Sequence, residues 1–525
     1  MRLKQLILGG LTVVAIAFTG FSLLNSWNRP QIQSRLELYQ TNLILHAAEW
    51  QDQDADGSIA TARNNLLGVN PVQTALEQYQ QVRRSAQTNL EKVQTQLEPL
   101  RTKAATPDVT PSLKATSPAQ TQQLKTSVAQ LEQLINELDL RIGVLQVQQK
   151  QTGAALETWK NLIERADARS NSEPLAQTAA VLTGLWSQPP RLLPDAESQI
   201  QKQLDGWFRY RALSQLYQLQ QRQDELTALQ TAEQAVAQQS LTKLAIVVGI
   251  PGFACLIGIG LLLFLIGQRL VKGKQSLLAN TEEVSWSTPW NVETILQVLV
   301  VGFFFVGQFL VGQLLVPILF GLLNINPTTL DVRTRALSIL AIYLLIAAGG
   351  LLVLYLSVKP FLPLSKNWFR IDWRGNWFKW AIGGYVAALP LVILVSLINQ
   401  QLWQGQGGSN PILSIALEGR DGVALALFFL TAAVAAPVFE EILFRGFLLP
   451  SLTRYMPVWG AIALSSLIFA MAHLSLSEVL PLATLGMILG FIYARSQNLL
   501  ASMLLHSLWN SGTLLSLFIL GSGSS

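Results

Sequence analysis

The sequence contains few of the residues that build cross-linked or metal-held folds. One cysteine, Cys255, and three histidines stand among 525 residues. A single cysteine permits no internal disulfide and no cysteine-based metal cluster, and three histidines limit histidine metal chemistry as tightly. Charged residues make up 13% of the chain, about half of their usual share in soluble proteins. These shortages exclude a disordered chain, a disulfide-rich secreted domain and an ordinary soluble domain.

Signatures of several common enzyme classes are also missing. The sequence contains no HExxH zinc motif, no GxGxxG dinucleotide motif and no P-loop, and no GxSxG element near the polar residues considered below. The net charge of +5 is compatible with nucleic-acid binding, but in so hydrophobic a chain basic residues more often lie in cytoplasmic loops. We therefore expect the lipid bilayer, and no nucleic acid, as a partner.

Half of the residues are hydrophobic, and they are concentrated in long runs. A first run covers Leu6–Leu24, residues 26–241 hold none of membrane length, and from Leu244 onward the chain is mostly apolar. Crossing the hydrocarbon core takes roughly 20 apolar residues, which predicts an all-α, polytopic transmembrane bundle of about nine segments. The later segments are predicted at 244–266, 295–320, 337–357, 378–398, 423–444, 458–474, 479–494 and 500–520.

Basic residues predict the orientation of these segments. Arg2 and Lys4 precede the first segment, whose apolar stretch is long for a cleaved signal peptide. We expect an uncleaved anchor over 1–25 with a cytoplasmic N-terminus, in the inner (plasma) membrane of a prokaryote. Basic loops after segments two, four, six and eight then lie inside, whereas Arg333 and Arg335 lie outside, against the trend.

Residues 26–241 are rich in Gln, Leu and Ala and predict an extracytoplasmic helical domain. The helices are expected at 30–50, 71–103, 117–150, 153–168 and 194–240, with a linker marked by Pro107, Pro111 and Pro118. We find no catalytic group of residues in this region, and His46 is expected to be packed or to face solvent.

Two stretches of this domain resemble each other. Gln148–Gln151 precedes Ala155, and Gln220–Gln223 precedes Ala228, at a spacing of 72 residues, about twice the 34-residue TPR period. The stretches indicate either shared low-complexity helix composition or a TPR-like or coiled-coil docking module that binds a protein partner.

Segment six ends with an unusual group of charges. Glu440 and Glu441 are adjacent, and Arg445 follows Glu441 by four residues. Neighbouring helical residues point about 100° apart, so if Glu441 pairs with Arg445, Glu440 is left to face the bundle. Pro437 removes a helix hydrogen bond just before the pair and favours a kink. The alternative is a charge cluster that only anchors the helix end.

The following segments carry two histidines in helical register with other residues. Phe469 and His473 lie one turn apart, as do His506 and Asn510. Counted from a hairpin turn near Tyr455–Pro457, Glu440 and His473 should lie at similar depth in the membrane. Polar residues inside a membrane are costly and therefore mark functional sites, although interhelical hydrogen bonding alone is the competing explanation.

These side chains supply the parts of an amide hydrolase. A buried glutamate that shares a proton with a histidine can act as general base on water. A second histidine and an asparagine can donate hydrogen bonds to a developing oxyanion.

The three elements resemble the motifs of the CPBP family, the CAAX prenyl protease and bacteriocin-processing group of intramembrane endopeptidases, also described as lysostaphin-resistance-protein-A-like. The resemblance covers about 420–520 and implies a catalytic core within 401–525, after further transmembrane helices in 242–400. It implies that Glu440 with His473 activates water and that His506 with Asn510 forms the oxyanion hole. Glu441, Arg445 and Phe469 would support the site or bind substrate.

The function predicted from the resemblance is cleavage of a membrane-associated protein or peptide, near the cytoplasmic side, without a cofactor or metal. Two alternatives remain open at this point. In the first, the chain would be a zinc metalloprotease that uses Glu440, His473 and His506 as ligands. In the second, it would be a non-enzymatic membrane scaffold or peptide-immunity protein.

The orientation gives a first testable prediction. A reporter fused near residue 120 should be extracytoplasmic, across the membrane from residues 269–274 and 359–374, because basic loops mark the cytoplasmic side. Protease accessibility of the reporter in intact cells measures this, and a cytoplasmic reporter would contradict the nine-segment topology.

Overall fold

The architecture was taken from a computed structural model, which describes residues 3–27, 33–51, 67–104, 118–167, 173–279, 286–326, 330–403, 407–409 and 421–521. Within these ranges the regular elements are helices, and no β-strand occurs. The predicted all-α fold class is therefore confirmed. Pro107 and Pro111, which mark the predicted linker, lie outside the described residues.

The chain divides into two units, each with its own hydrophobic core. Residues 1–32 and 248–521 form what we call the membrane unit, and residues 33–247 form the helical unit. We number the helices α1 to α17 in chain order, leaving out short 3₁₀ turns. α1 is Leu3–Ser26 and belongs to the membrane unit.

The helical unit contains α2 to α9. They are α2 (Gln33–Ala48), α3 (Pro71–Ala104), α4 (Pro118–Gln148), α5 (Thr152–Asp167), α6 (Glu173–Trp186), α7 (Ala196–Gln203), α8 (Gly206–Leu219) and α9 (Gln223–Leu244). The sequence prediction missed α6 and merged α7 to α9 into one helix. The breaks occur where the backbone enters the left-handed region, at Gly206 and Gln221, a conformation that a helix cannot continue.

The two similar stretches of the helical unit form the same turn. Lys150 and Gln221 both have a positive φ, 61° and 56°. The amide of Gln151 donates to Gln146 O at 2.8 Å, and that of Arg222 to Tyr217 O at 3.0 Å. This is the Schellman end of a helix, repeated 71 residues apart. The likeness is thus one of helix-turn-helix junctions, and the docking role remains a prediction.

The core of the helical unit is built around buried aromatic and paired polar side chains. Trp159 is fully buried, and its indole N–H donates to Leu140 O at 3.1 Å. His46 is packed inside and lies with Nδ1 2.6 Å from Glu233 Oε1. This contact joins α2 to α9, so His46 has a structural partner.

The membrane unit contains α1 and α10 to α17. The later helices are α10 (Ile250–Lys272), α11 (Val292–Leu322), α12 (Val332–Val358), α13 (Trp377–Trp403), α14 (Gly422–Leu452), α15 (Val458–Met471), α16 (Val479–Ser496) and α17 (Leu499–Gly521). Eight helical spans of the described chain are long and apolar enough to cross a membrane, and α15 is a shorter apolar helix. Together they match the nine predicted segments.

Two prolines shape α14, the helix that carries the adjacent glutamates. The helix widens into π-helical turns at Leu430–Ala435 and Ile442–Leu448. Each widened stretch ends just before a proline-containing turn, with Pro437 and Pro450 in the second position. Because proline lacks an N–H and its ring clashes with the preceding turn, a π-turn accommodates it without ending the helix.

Candidate active site

A fully buried charge network lies where α14, α16 and α17 meet. Arg445 Nη1 donates to Glu441 Oε1 at 2.7 Å, and Nη2 donates to Gly486 O at 3.1 Å. His506 Nδ1 lies 2.9 Å from the same Glu441 oxygen. Glu441, Arg445 and His506 are at most 3% exposed. A buried charge is tolerated only when it is paired and hydrogen-bonded. Each of these groups has a partner, although among the described residues Glu441 Oε2 has none.

Phe469 of α15 connects this network to the cavity described next. The Arg445 guanidinium lies over its ring, 4.6 Å from the centroid. The rings of His473 and His506 contact the same phenyl ring edge-to-face, with centroids 5.0 and 5.8 Å away. Phe469 is fully buried, so its ring fixes the relative positions of three polar side chains.

Glu440 has a different environment from its neighbour Glu441. The Tyr343 hydroxyl of α12 donates to Glu440 Oε1 at 3.0 Å. Glu440 Oε2 lies 3.9 Å from His506 Nε2, and among the described residues it has no hydrogen-bond partner. The Glu440 side chain is 15% exposed, against 0% for Glu441. Glu441 is therefore held in the network, whereas Glu440 lines a cavity.

This cavity has a volume of about 350 Å³. Its polar lining includes Glu440, His473, Asn510, Tyr343 and Glu478, and its apolar lining includes Phe303, Phe439, Phe444 and Trp509. An apolar pocket with a few converging polar groups is the usual form of a ligand site.

Two further polar residues of the cavity, His473 and Asn510, each have one hydrogen-bonding group engaged by a backbone carbonyl. His473 Nδ1 lies 2.9 Å from Phe469 O, and because a carbonyl only accepts, Nδ1 carries the hydrogen and Nε2 is left as an acceptor. Asn510 Nδ2 donates to Ala432 O at 2.7 Å, which uses one of its two N–H groups.

The structure thus distributes the predicted residues differently from the sequence interpretation. Glu440, His473 and Asn510 line one cavity, whereas His506 joins Glu441 and Arg445 behind it. Tyr343 and Glu478 were missed. A tyrosine hydroxyl in the middle of an apolar segment is a signal for Tyr343, since such a group needs a partner when buried.

The three candidate zinc ligands, Glu440, His473 and His506, do not come together as a metal site. Across the described ranges, no group of three or more His, Cys, Asp or Glu side chains has the proximity to hold a metal ion.

The cavity lies at the end of a short helix. α15 has 14 residues, about 21 Å at 1.5 Å per residue, which is shorter than the roughly 30 Å hydrocarbon core. His473 follows the end of this helix. Residues 472–478 form an irregular segment that joins α15 to α16.

Comparison with known proteins gives matches to this part of the chain. Residues 422–512 match the family model described as Type II CAAX prenyl endopeptidase Rce1-like. This range includes every predicted site residue but not Tyr343.

Two bacterial relatives are distantly similar. YdiL of Bacillus subtilis, named as a candidate membrane peptidase, is 26% identical over 132 residues, which cover 25% of this chain and 53% of YdiL. The membrane-embedded CAAX protease MroQ of Staphylococcus aureus is 22% identical over 187 residues, 34% of this chain and 74% of MroQ.

The chain therefore spans about half the length of the first relative. No solved structure matches. The family model and the two relatives agree with the resemblance drawn from the motifs. Residues 422–512 of the membrane unit are thus similar to the CAAX protease-like membrane proteins that these comparisons name.

Proposed function

We propose that the membrane unit is an intramembrane endopeptidase that hydrolyses a peptide bond of a membrane-associated protein or peptide. The observation that carries this proposal is the pair of adjacent glutamates: Glu441 pairs with Arg445 and His506, whereas Glu440 lines a cavity inside the bundle. The family match and the printed name of MroQ, a CAAX protease, support the same reaction class.

In this proposal Glu440 acts as general base. Glu440 Oε2 takes a proton from water while the water oxygen attacks the scissile carbonyl carbon, which gives a tetrahedral oxyanion. Tyr343 holds one oxygen of the carboxylate and so fixes the orientation of a group that lines the cavity. The proton then passes to the amine that leaves as the C–N bond breaks.

The histidines and Asn510 support these steps. The second N–H of Asn510 faces the cavity as an oxyanion donor. His473, with Nε2 as acceptor, can carry the proton to the leaving amine. His506 was expected to share the oxyanion hole; its Nε2 lies 3.9 Å from Glu440 Oε2, beside the proposed base. We therefore assign His506 to water activation.

The cavity also indicates the kind of substrate. Its aromatic walls suit apolar side chains, and α15 places the site within the bilayer, so a polypeptide anchored in or on the membrane reaches it by lateral approach. We propose a protein partner for the helical unit, whose repeated helix-turn-helix junctions resemble those of docking modules.

Replacing Glu440 with Gln should abolish cleavage and leave the protein folded, because only the base is removed. General-base catalysis contributes about 10²–10⁴-fold to a rate. The measurement is a comparison of new peptide termini in membranes of cells that express the wild type or Glu440→Gln. Glu478→Gln, which removes the other carboxylate of the cavity, is the matched control and should retain activity within a few-fold. Near wild-type cleavage by Glu440→Gln would show that Glu440 is not the base that activates water.

Tyr343→Phe should lower turnover about tenfold, because the Glu440 carboxylate loses the hydroxyl that orients it. KM should change little, because this carboxylate is not proposed to bind the substrate. Tyr355→Phe in the same helix, whose side chain is 55% exposed, should have no effect. Steady-state kinetics of the purified variants test this. An equal effect of both substitutions would show that Tyr343 acts only through the packing of α12.

Hydrolysis should need no metal. Exhaustive treatment of the purified protein with a strong chelator, with metal content measured alongside, should leave activity unchanged. The reason is that Glu440, the proposed base, cannot also serve as one of three ligands, and His506 Nδ1 is engaged by Glu441. Activity that is lost on chelation and restored by stoichiometric zinc would establish the metalloprotease alternative instead.

A further inference from the structure

The irregular segment 472–478 joins α15 to α16 and carries two residues of the cavity wall. His473 is near its start, and Glu478 is at its end. Between them, Leu474 has a φ of 55°. A bulky residue rarely adopts this left-handed conformation, which persists only where the surroundings hold it.

The backbone of this segment needs hydrogen-bond partners inside the protein. Non-helical backbone at membrane depth is tolerated only where its N–H and C=O groups find partners inside the protein. Ser475 and Ser477 are at most 5% exposed. The neighbouring parts of the membrane unit must therefore supply the hydrogen bonds.

One partner is the end of the first helix. The Leu476 amide donates to Ser26 Oγ at 3.0 Å, and the Ser26 hydroxyl itself donates to Leu23 O at 2.7 Å. Ser26 is 2% exposed. Leu476 is half-buried, and losing this bond would leave its amide without the partner that the structure shows.

A second partner is Gly407, which α1 also holds. The Gly407 amide donates to Trp27 O at 3.1 Å. Its carbonyl accepts from Ser475 Oγ at 3.2 Å and from Ser477 N at 3.1 Å. Gly407 has a φ of 100°, and a Cβ there would lie 2.8 Å from the Ser477 side chain, so a residue with a side chain does not fit.

Helix α1 is itself fixed in the membrane unit. Phe18 contacts Phe304 of α11, and Trp27 contacts Trp403 of α13, both edge-to-face with centroids 5.3 Å apart. Lys4 Nζ lies 2.8 Å from Glu293 Oε1. The end of α1 is therefore held in place by other helices of the membrane unit, and it can position the segment 472–478.

We propose that Ser26 is a positioning residue of the site: its hydrogen bond to the Leu476 amide fixes the segment that presents His473 and Glu478 to the cavity. Helix α1, which lies outside the matched residues 422–512, is then a working part of the catalytic unit as well as an anchor. The effect on turnover rests on the proposed function, whereas the effect on the segment does not.

The test compares three variants of the full chain in lipid nanodiscs. Ser26→Ala removes the acceptor of the Leu476 amide, and Ser26→Thr keeps a hydroxyl. Thr12→Ala is the matched control, because the Thr12 hydroxyl also bonds a carbonyl of α1, Leu8 O at 2.7 Å, without contacting the segment. Hydrogen exchange of a peptide that contains 472–478 is measured with kcat and KM.

We expect the Leu476 amide of Ser26→Ala to exchange at least about tenfold faster than in the wild type, and kcat to fall about tenfold at nearly constant KM. Ser26→Thr should lie closer to the wild type in both, and Thr12→Ala should match it. Wild-type exchange in Ser26→Ala, or equal changes in Thr12→Ala, would overturn the inference. If exchange changes as expected but the wild type hydrolyses no peptide, the proposed function fails and the positioning role stands.

Discussion

The buried ion pair of Glu441 and Arg445 is the interaction on which the membrane unit is organised. Removing one partner of such a pair leaves a charge that the bilayer cannot solvate, so both must stay. The Arg445 guanidinium also donates to Gly486 O of α16 and lies over the Phe469 ring of α15. His506 of α17 contacts the Glu441 carboxylate. One pair thus joins four helices in a single arrangement, and the cavity forms on its far side.

Two adjacent residues of the same type are separated in role by helix geometry alone. Their side chains diverge by about 100°, so Glu441 points into the network and Glu440 points at the cavity. The proximity of the network matters to Glu440, because His506 contacts both carboxylates, at 2.9 Å and 3.9 Å. A single imidazole therefore connects the residue that holds the helices together with the residue proposed to activate water.

Features that depend on local helix periodicity could be predicted from the sequence. Contacts between segments that are distant in the sequence could not. The spans and the Glu441–Arg445 pair follow from helix geometry and appear in the structure. Glu440 and His473, predicted at one depth, line the same cavity. The position of His506 depends on which face of α17 packs against α14, which periodicity does not determine. Tyr343 comes from a helix almost a hundred residues upstream, and the hydrogen bonds of 472–478 join α1 to a segment 450 residues later. The roles assigned to these residues remain predictions.

The contact of Ser26 with Leu476 also bears on the side of the membrane at which cleavage would occur. If Arg2 and Lys4 hold the N-terminus in the cytoplasm, then α1 ends at the opposite face. Its hydrogen bond to the Leu476 amide places the segment behind His473 in that half of the membrane. A cytoplasmic N-terminus would thus put the segment 472–478 in the extracytoplasmic half of the bundle, and cleavage near the cytoplasmic side stays a prediction from the sequence. Because α1 is packed against α11 and α13, its direction and the side that the site faces cannot be chosen separately: fixing one orientation fixes the other.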